Sequence, residues 1–498
     1  MPSAQPKYCI SLLPESFPTL QSWIPAAEEG DLIEIRLDHI PDADLKVIRD
    51  LTGKPLILTL RSTREGGYWE GTPAQYRKIC QAAIDAGFDY LDVEYNAAAV
   101  LPQLNNGNTR IILSCHTELK QRKELQELLK AMLSVPAAVY KLIYNADALR
   151  DNLALFDLIE TARSAGVDYV VHAMGEAGRL SRIIGAIRGN AWTYVAREYS
   201  TATAAGQLAL HEAKDFYFLD RKQSHARLLG LVGSPLHQSK GWRLHNLLIQ
   251  EKITSSRAKS TAGKDFIYVN FPTDQFKEFW QNWHPHLHGL SVTLPHKEKV
   301  VDYLNEQSPE VRISGACNTV VRCEKGWRGH NTDLIAMETI LRPYFELLRG
   351  GGLVVGTGAT ARSAIAALKR LEVNPIFLVG RNDKRGKMLS ELYGVEYLKE
   401  GEIHYASATV IIQTTPVGMV PYTDKYPPGT ALFRKNRVVL DVIYNPAETR
   451  FLRIARERGC ITISGMEMFL VQAARQFEIF TGESVSREEI LDVWQRLN

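Results

Sequence analysis

Over the first 220 or so residues, short apolar runs recur at 8–13, 32–37, 55–60, 90–94, 110–114, 139–143, 169–174 and 191–195. Amphipathic stretches such as 72–86 and 119–133 separate them. Strands that are apolar along their whole length must be buried on both faces, which places them in a parallel sheet covered by helices. Eight such strand-helix units predict an α/β fold that closes into a (β/α)8 TIM barrel. The pattern then restarts at Leu228-Leu-Gly-Leu-Val-Gly233, and a further set of strands begins at Leu353-Val354-Val355. A chain of 498 residues exceeds what one core of ordinary size organises, so several domains are expected.

Composition excludes some classes of function. The formal charge is only +3, with no clustered basic stripe, so no nucleic-acid partner is expected. No apolar run reaches the roughly 20 residues of a membrane helix, so no membrane partner is expected either. The six cysteines lack metal-ligand spacing and form no CxxC pair, a pattern that suits free thiols in a reducing compartment. Residues 1–6 are polar and lead straight into a strand, without the apolar core of a signal peptide. A cytoplasmic protein is expected, although a processed plastid form would read the same way.

The polar residues of the first part fall where chemistry would need them. Glu34 and Arg36 lie in the second apolar run, Arg61 ends the third and Glu65 follows it. Glu94 ends the fourth, His116 lies just past the fifth, and Lys141 sits inside the sixth. Barrel enzymes gather their reactive groups at the C-terminal ends of the strands. Each residue has an ordinary reading by itself. A lone strand lysine usually snorkels at an edge, Glu34 and Arg36 fit a structural ion pair, and a lone histidine is usually a loop or core residue. Their coincidence at one end of successive strands favours a site. Lys141, flanked by Ala137-Ala-Val-Tyr140 and Leu142-Ile143, is expected in an apolar interior that lowers its pKa and frees its amine as a nucleophile.

Glu34-Ile-Arg36-Leu-Asp38, Arg61-Ser-Thr-Arg-Glu65-Gly-Gly67, Leu113-Ser-Cys-His116, Tyr140-Lys141, Met174-Gly-Glu-Ala-Gly178-Arg-Leu-Ser181-Arg182 and Ala205-Gly-Gln207 together resemble a type I 3-dehydroquinate dehydratase. The resemblance implies that Lys141 forms a Schiff base with the substrate ketone. It implies that His116 is the general acid/base, positioned by Glu65, and that Arg182 holds the carboxylate. Glu34, Arg36, Arg61, Thr203 and Gln207 would bind hydroxyls and neighbouring groups, and no metal is implied. Thr203 stands where the family commonly has a serine, and Ala204 and Ala205 stand where a proline is usual. His116 precedes Thr117-Glu118 instead of the usual acidic-aromatic pair, which leaves its supporting partner open.

In the second part, the strand at 353–355 runs into Gly356-Thr-Gly358-Ala359-Thr-Ala361 and a helix expected over 362–371. This is a dinucleotide fingerprint with alanine in its third position: the glycines permit a tight turn and close approach of pyrophosphate to a helix N-terminus. The next strand, at 375–379, ends in Gly380-Arg381-Asn382-Asp-Lys-Arg385. Arginines where an NAD site carries an acid predict NADP, against the alternative of a solvated basic turn.

Ser291-Val-Thr293-Leu-Pro-His-Lys297, Gly315-Ala-Cys-Asn318-Thr, Gly329-His-Asn331-Thr-Asp333, Gly233-Ser-Pro-Leu-His-Gln-Ser239-Lys240, Asp441-Val-Ile-Tyr444 and Gly465-Met-Glu-Met468-Phe-Leu-Val-Gln472 resemble shikimate dehydrogenase. The resemblance implies a Lys297–Asp333 catalytic pair. It places Ser239, Thr293, Asn318, Asn331, Tyr444 and Gln472 on the substrate, and Gly465 and Met468 near the nicotinamide. Gly356, Gly358, Ala359, Ala361, Arg381, Asn382, Arg385 and Thr414 would hold NADP. The expected domains are a barrel over 1–224, a substrate-binding domain over 225–335 completed by C-terminal helices at about 466–498, and a Rossmann domain over 336–465. Gly241 stands where the family usually shows a serine, which would open space for a C1 hydroxyl. The implied activity is dehydration of 3-dehydroquinate followed by NADPH-dependent reduction to shikimate. Two alternatives are a dehydratase fused to a quinate or mixed dehydrogenase, and a scaffold or sensor that binds without turnover. The oligomeric state is left open.

Overall fold

Each apolar run becomes a strand because its side chains, pointing alternately to the two faces, are buried on both. The computed structural model describes residues 6–237, 239–254 and 265–497. The strands of the first part are β1 (Tyr8–Leu12), β2 (Leu32–Arg36), β3 (Leu56–Thr59), β4 (Tyr90–Glu94), β5 (Arg110–Thr117), β6 (Val139–Asn145), β7 (Asp168–Met174), β8 (Thr193–Ala196) and a short β9 (Leu208–Ala209). They pair in parallel in the order β7-β6-β5-β4-β3-β2-β1-β8-β9. The Ala191 amide donates to the Tyr169 carbonyl, which ties the approach to β8 back to β7 and brings the ends of the curled sheet together. The barrel expectation holds. Beneath the site, Cys9, Leu32, Ile57, Ile112, Val139, Val170, Trp192 and Tyr194 form an interior cluster.

Helix ends are written locally. Thr72 caps Pro73–Asp85 and forms a capping box with Gln75, so this helix starts and stops within one residue of its expected span. Strand β5 runs longer than expected, so His116 lies inside a strand and not just beyond it. Its side chain is thereby fixed by the pleat.

The chain divides into two compact units. One comprises residues up to Arg227 with Ile249–Ile267 and Glu278–Pro285; the other comprises Leu228–Leu248, Tyr268–Lys277 and the chain from His286 onward. Beyond the barrel lies a mixed sheet built from β10 (Arg227–Gly233), β11 (Phe266–Pro272), β12 (Leu287–Val292), β13 (Glu306–Gln307), β14 (Thr319–Cys323) and β15 (Gly326–His330). Its order is β11-β10-β12-β14-β15-β13, with β14 antiparallel to both neighbours.

A third sheet contains β16 (Gly352–Val355), β17 (Ile376–Val379), β18 (Glu396–Leu398), β19 (Val410–Gln413), β20 (Val438–Asp441) and β21 (Ile461–Ile463). It is parallel, in the order β18-β17-β16-β19-β20-β21. That is the doubly wound Rossmann order, with its switch point between β16 and β19. The helix Gly465–Thr481 then returns to the mixed sheet, where Gln476 Nε2 donates to the Asn318 carbonyl at 3.1 Å and to Thr319 Oγ1 at 2.9 Å. None of the described helices is long and apolar enough to cross a membrane.

Candidate active sites

Parallel register sets the barrel site in layers. Ser114 on β5 pairs with Lys141 on β6, and one layer further on His116 pairs with Ile143, which in turn pairs with His172 on β7. Lys141 is buried, but its surroundings are ionic and not apolar as expected. Its Nζ lies 3.2 Å from Glu34 Oε1 and 3.0 Å from Asp92 Oδ2, and 4.5 Å over the Tyr194 ring. Burial opposes ionisation of Glu34, but Lys141 with Ser11 and Arg36 outweighs it and holds the carboxyl below its usual value. Asp92 is likewise depressed, since Arg61, Lys141 and Ser114 overcome its burial. The two carboxylates flank the buried Lys141 side chain and offset the cost of removing it from water.

Arg61 organises the acidic side. It reaches Glu65 at 3.0 Å, Asp92 at 2.9 Å and Glu94 at 3.3 Å, and donates to Ser114 Oγ at 3.0 Å. Glu65 Oε2 accepts the His116 backbone N–H at 3.0 Å and faces His116 Nδ1 at 3.1 Å. This supplies the supporting partner left open by Thr117-Glu118, while Glu118 binds Asn145 instead. Burial raises the Glu65 carboxyl to about 7, with Glu94 and Asp92 adding to the rise and Arg61 and the His116 N–H opposing it. His116 is pushed well below its usual value by burial, then by Arg61, Lys141 and Arg36. With Glu65 ionised, Nδ1–H donates to it and a neutral Nε2 is left as the base.

The remaining barrel candidates fall into place unevenly. Arg36 forms a two-pronged pair with Asp38, at 2.9 and 2.7 Å, so its ion pair is not with Glu34. Arg182 is buried and donates to His172. Thr203 and Gln207 hold each other, the Thr203 N–H donating to Gln207 Oε1 at 2.9 Å and its hydroxyl at 3.3 Å. Asp92 was missed from sequence because it precedes the strand end. Its alternation with Glu94 on β4 was the available signal, since residues two apart share a face.

In the second unit a cavity of about 390 Å³ lies between the mixed sheet and the Rossmann sheet. Ser239, Gly241, Thr293, Lys297, Asn318, Asp333, Thr414, Tyr444, Gly465, Met468 and Gln472 all line it. Lys297 Nζ donates to Asp333 Oδ2 at 2.6 Å, and Asn318 Nδ2 donates to Asp333 Oδ1 at 2.9 Å. Asn318 also accepts the Thr332 amide at 2.8 Å, and the Thr332 hydroxyl reaches Gln472 at 3.4 Å. Tyr444 stacks on Phe469 with ring centroids 4.7 Å apart.

Asn331 differs from the expectation. Its carbonyl oxygen caps the helix Thr332–Leu341, and its amide donates to Ser314, Ala316 and Ser363. With its oxygen capping the helix and its amide hydrogens shared among three acceptors, the side chain is spent on the helix start and is not among the residues that line the cavity.

The residues at the dinucleotide turn fit NADP. Gly356 has φ 122°, and a Cβ there would meet Thr414 Oγ1 at 2.4 Å, so only glycine serves. A Cβ on Gly358 would meet nothing within 4 Å, which leaves room for a phosphate at the N-terminus of the helix Ala359–Arg370. Ala361 is fully buried in the first turn of that helix. Arg381 is exposed beside the turn, Asn382 caps the helix Asp383–Tyr393, and Arg385 donates to Glu298 and to the Thr357 carbonyl. Arg381 and Arg385 at this strand end suit a 2′-phosphate, while Asp383 between them accepts from the Tyr397 hydroxyl at 2.7 Å.

The fold and these constellations define two enzymes in one chain: a lysine-centred lyase barrel and a dinucleotide-dependent oxidoreductase. Residues 8–224 match the family model of type I 3-dehydroquinase, and residues 231–320 match that of the shikimate dehydrogenase substrate binding domain. The chain belongs to the bifunctional family in which these two enzymes are joined. The chloroplastic bifunctional 3-dehydroquinate dehydratase/shikimate dehydrogenase of Arabidopsis thaliana is 28% identical over 492 residues, covering 92% of this chain and 79% of that protein. A shikimate dehydrogenase (NADP(+)) of Microcystis aeruginosa is 31% identical over 53% of this chain and 96% of its own length. The solved dehydroquinate dehydratase and shikimate dehydrogenase of S. pombe AroM is 24% identical, covers 99% of this chain and 98% of its own, and superposes with a TM-score of 0.43.

Proposed function

We propose that the chain catalyses two consecutive steps, dehydration of 3-dehydroquinate to 3-dehydroshikimate in the barrel and NADPH-dependent reduction to shikimate in the second unit. The carrying observation is that each half holds a complete proton-transfer constellation. One is Lys141 between Glu34 and Asp92 with the Glu65–His116 pair; the other is Lys297–Asp333–Asn318 on the cavity wall.

In the barrel, Lys141 sheds one proton to water, attacks the ketone carbon and forms an iminium as the ketone oxygen takes up protons and leaves as water. The iminium acidifies the adjacent C–H. His116 Nε2 removes that proton from C2 and returns it to the departing C1 hydroxyl, which leaves as water. Water then hydrolyses the iminium and frees Lys141. Arg182 holds the carboxylate throughout, and Arg61 and Gln207 the hydroxyl side.

In the second unit, bound NADPH supplies the hydride to the C3 carbonyl. Lys297 gives its proton to the C3 oxygen, and Asp333 orients the ammonium. Asn318 and Gln472 bind hydroxyls, Ser239 and Tyr444 the carboxylate end. Arg381 and Arg385 take the 2′-phosphate, with Arg385 exchanging Glu298 for it. Replacing Arg381 by Leu should therefore raise the KM for NADPH by roughly tenfold while leaving the NADH rate nearly unchanged, as steady-state titrations of the two cofactors would reveal.

We assign the dehydratase to 1–224, the substrate-binding domain to 225–335 with the C-terminal helices, and the cofactor domain to 336–465. The free cysteines suit a reducing compartment, the cytoplasm or a plastid stroma. Two assays test the halves separately. The protein without nicotinamide should convert 3-dehydroquinate to the conjugated enone, and with shikimate it should reduce NADP+ and leave NAD+ largely untouched. Failure of either assay removes that half of the reading.

Gly241 favours a second activity. It lines the cavity, and a Cβ there would come no closer than 3.4 Å to Ser239 Oγ, so a serine would fit and the glycine leaves room. Quinate, which carries an added C1 hydroxyl, should be oxidised with NADP+. Gly241→Ser should lower the quinate-to-shikimate ratio of kcat/KM by roughly tenfold. Quinate left untouched with NADP+ contradicts this.

A further inference from the structure

Arg182 and His172 form a buried pair that the barrel mechanism uses only in part. Arg182 is 2% exposed and, among the described residues, has no carboxylate at ion-pairing distance; its Nε–H is buried without a partner. Burial, with Arg179 adding to it, brings its guanidinium down to about 10. Its Nη1 lies 2.9 Å from His172 Nε2. A guanidinium has no lone pair to offer, so Nε2 must be the acceptor and the proton of the neutral ring must sit on Nδ1. Nδ1 is buried and has no hydrogen-bond partner. His172 itself is 5% exposed, in the layer of His116 and one layer from Lys141.

A buried N–H left unpaired costs free energy that a ligand oxygen would recover. The ring cannot escape by taking a second proton. Arg182 from its helix, Lys141 from β6 and His116 from β5 surround it with basic groups, and Tyr194 on β8 faces it with ring centroids 6.2 Å apart. Burial and those cations keep the imidazole neutral.

We propose that His172 is a substrate-binding residue of the barrel, whose Nδ1–H donates to an oxygen of the same hydroxylated carboxylate that Arg182 holds. It reads an acceptor on the substrate while its other nitrogen fixes the Arg182 fork. The inference rests on the dehydratase reading of the barrel and adds a specificity determinant to it.

His172→Gln tests it, because a glutamine oxygen can replace Nε2 as the acceptor for Arg182, while its amide N–H groups sit one bond farther from the backbone than Nδ1 and cannot take the Nδ1–H position. The KM for 3-dehydroquinate should rise roughly tenfold, the ratio for one lost hydrogen bond of this kind. kcat should stay within about threefold and the melting temperature should be unchanged, since Lys141, His116 and Glu65 are untouched. A His172→Gln KM within twofold of wild type, with His172→Ala raising it, would assign His172 to supporting Arg182 alone and overturn the proposal. The wild-type turnover of 3-dehydroquinate judges the dehydratase reading separately. If that rate is nil, calorimetric binding of 3-dehydroquinate to wild type and His172→Gln reads the contact instead. Equal binding, or none to either, overturns it.

Discussion

Replacing Lys141 by alanine should cut the dehydration rate by roughly 10⁴-fold or more and leave the reduction of 3-dehydroshikimate within about twofold of wild type. The expected loss is large because without the amine no iminium forms, and the C2 proton must then be removed from an ordinary ketone. The substitution also strips Glu34 and Asp92 of a shared cation. Buried carboxylates left uncompensated cost stability, although Arg61 still pairs with Asp92. Lys141→Arg is the control, for it keeps a positive charge there but cannot form the imine. Borohydride added with 3-dehydroquinate should give a stable mass adduct on residue 141 of the wild-type chain and on neither variant. An adduct on both variants, or unimpaired dehydration by either, would place the reacting amine elsewhere.

The second large effect concerns Lys297 and Asp333. Lys297→Ala should lower the kcat for shikimate oxidation by about 10²–10⁴-fold, the usual range for losing a positioned general acid/base. Asp333→Asn should fall in the same range, because Asp333 orients the ammonium at 2.6 Å. The double variant should be scarcely worse than either single one, since the two act as a unit. The KM for shikimate should change less than kcat, because Ser239, Asn318, Tyr444 and Gln472 still line the cavity. Barrel activity in the same chains provides the internal standard. A shift confined to KM would make the pair a binding contact and not a proton-transfer device.

Much of this was legible in the sequence because it depends on period and punctuation. The apolar runs are buried on both faces in parallel sheets, and the glycine turn after β16 has one sterically permitted use. The environments of the charged groups were harder to read. Lys141 looked apolar from its chain neighbours, yet its partners Glu34 and Asp92 arrive from other strands 107 and 49 residues away. Arg36 chose Asp38 over Glu34 because the short turn at 37–39 folds that carboxylate back onto it. Asn331 carries the same motif signal as Asn318, and only the geometry of the helix start separates a cap from a wall of the cavity. His172 was invisible, since nothing local announces that an arginine ten residues later will turn its ring into a buried donor.

The most direct measurement is a single reaction: the purified chain with 3-dehydroquinate and NADPH, followed by nicotinamide absorbance with the products identified. The account predicts a continuous fall in NADPH with shikimate as the end product, abolished in either Lys141→Ala or Lys297→Ala and restored when the two variants are mixed. Enone accumulating while NADPH stays constant would contradict it and leave the barrel as the sole enzyme acting on this route.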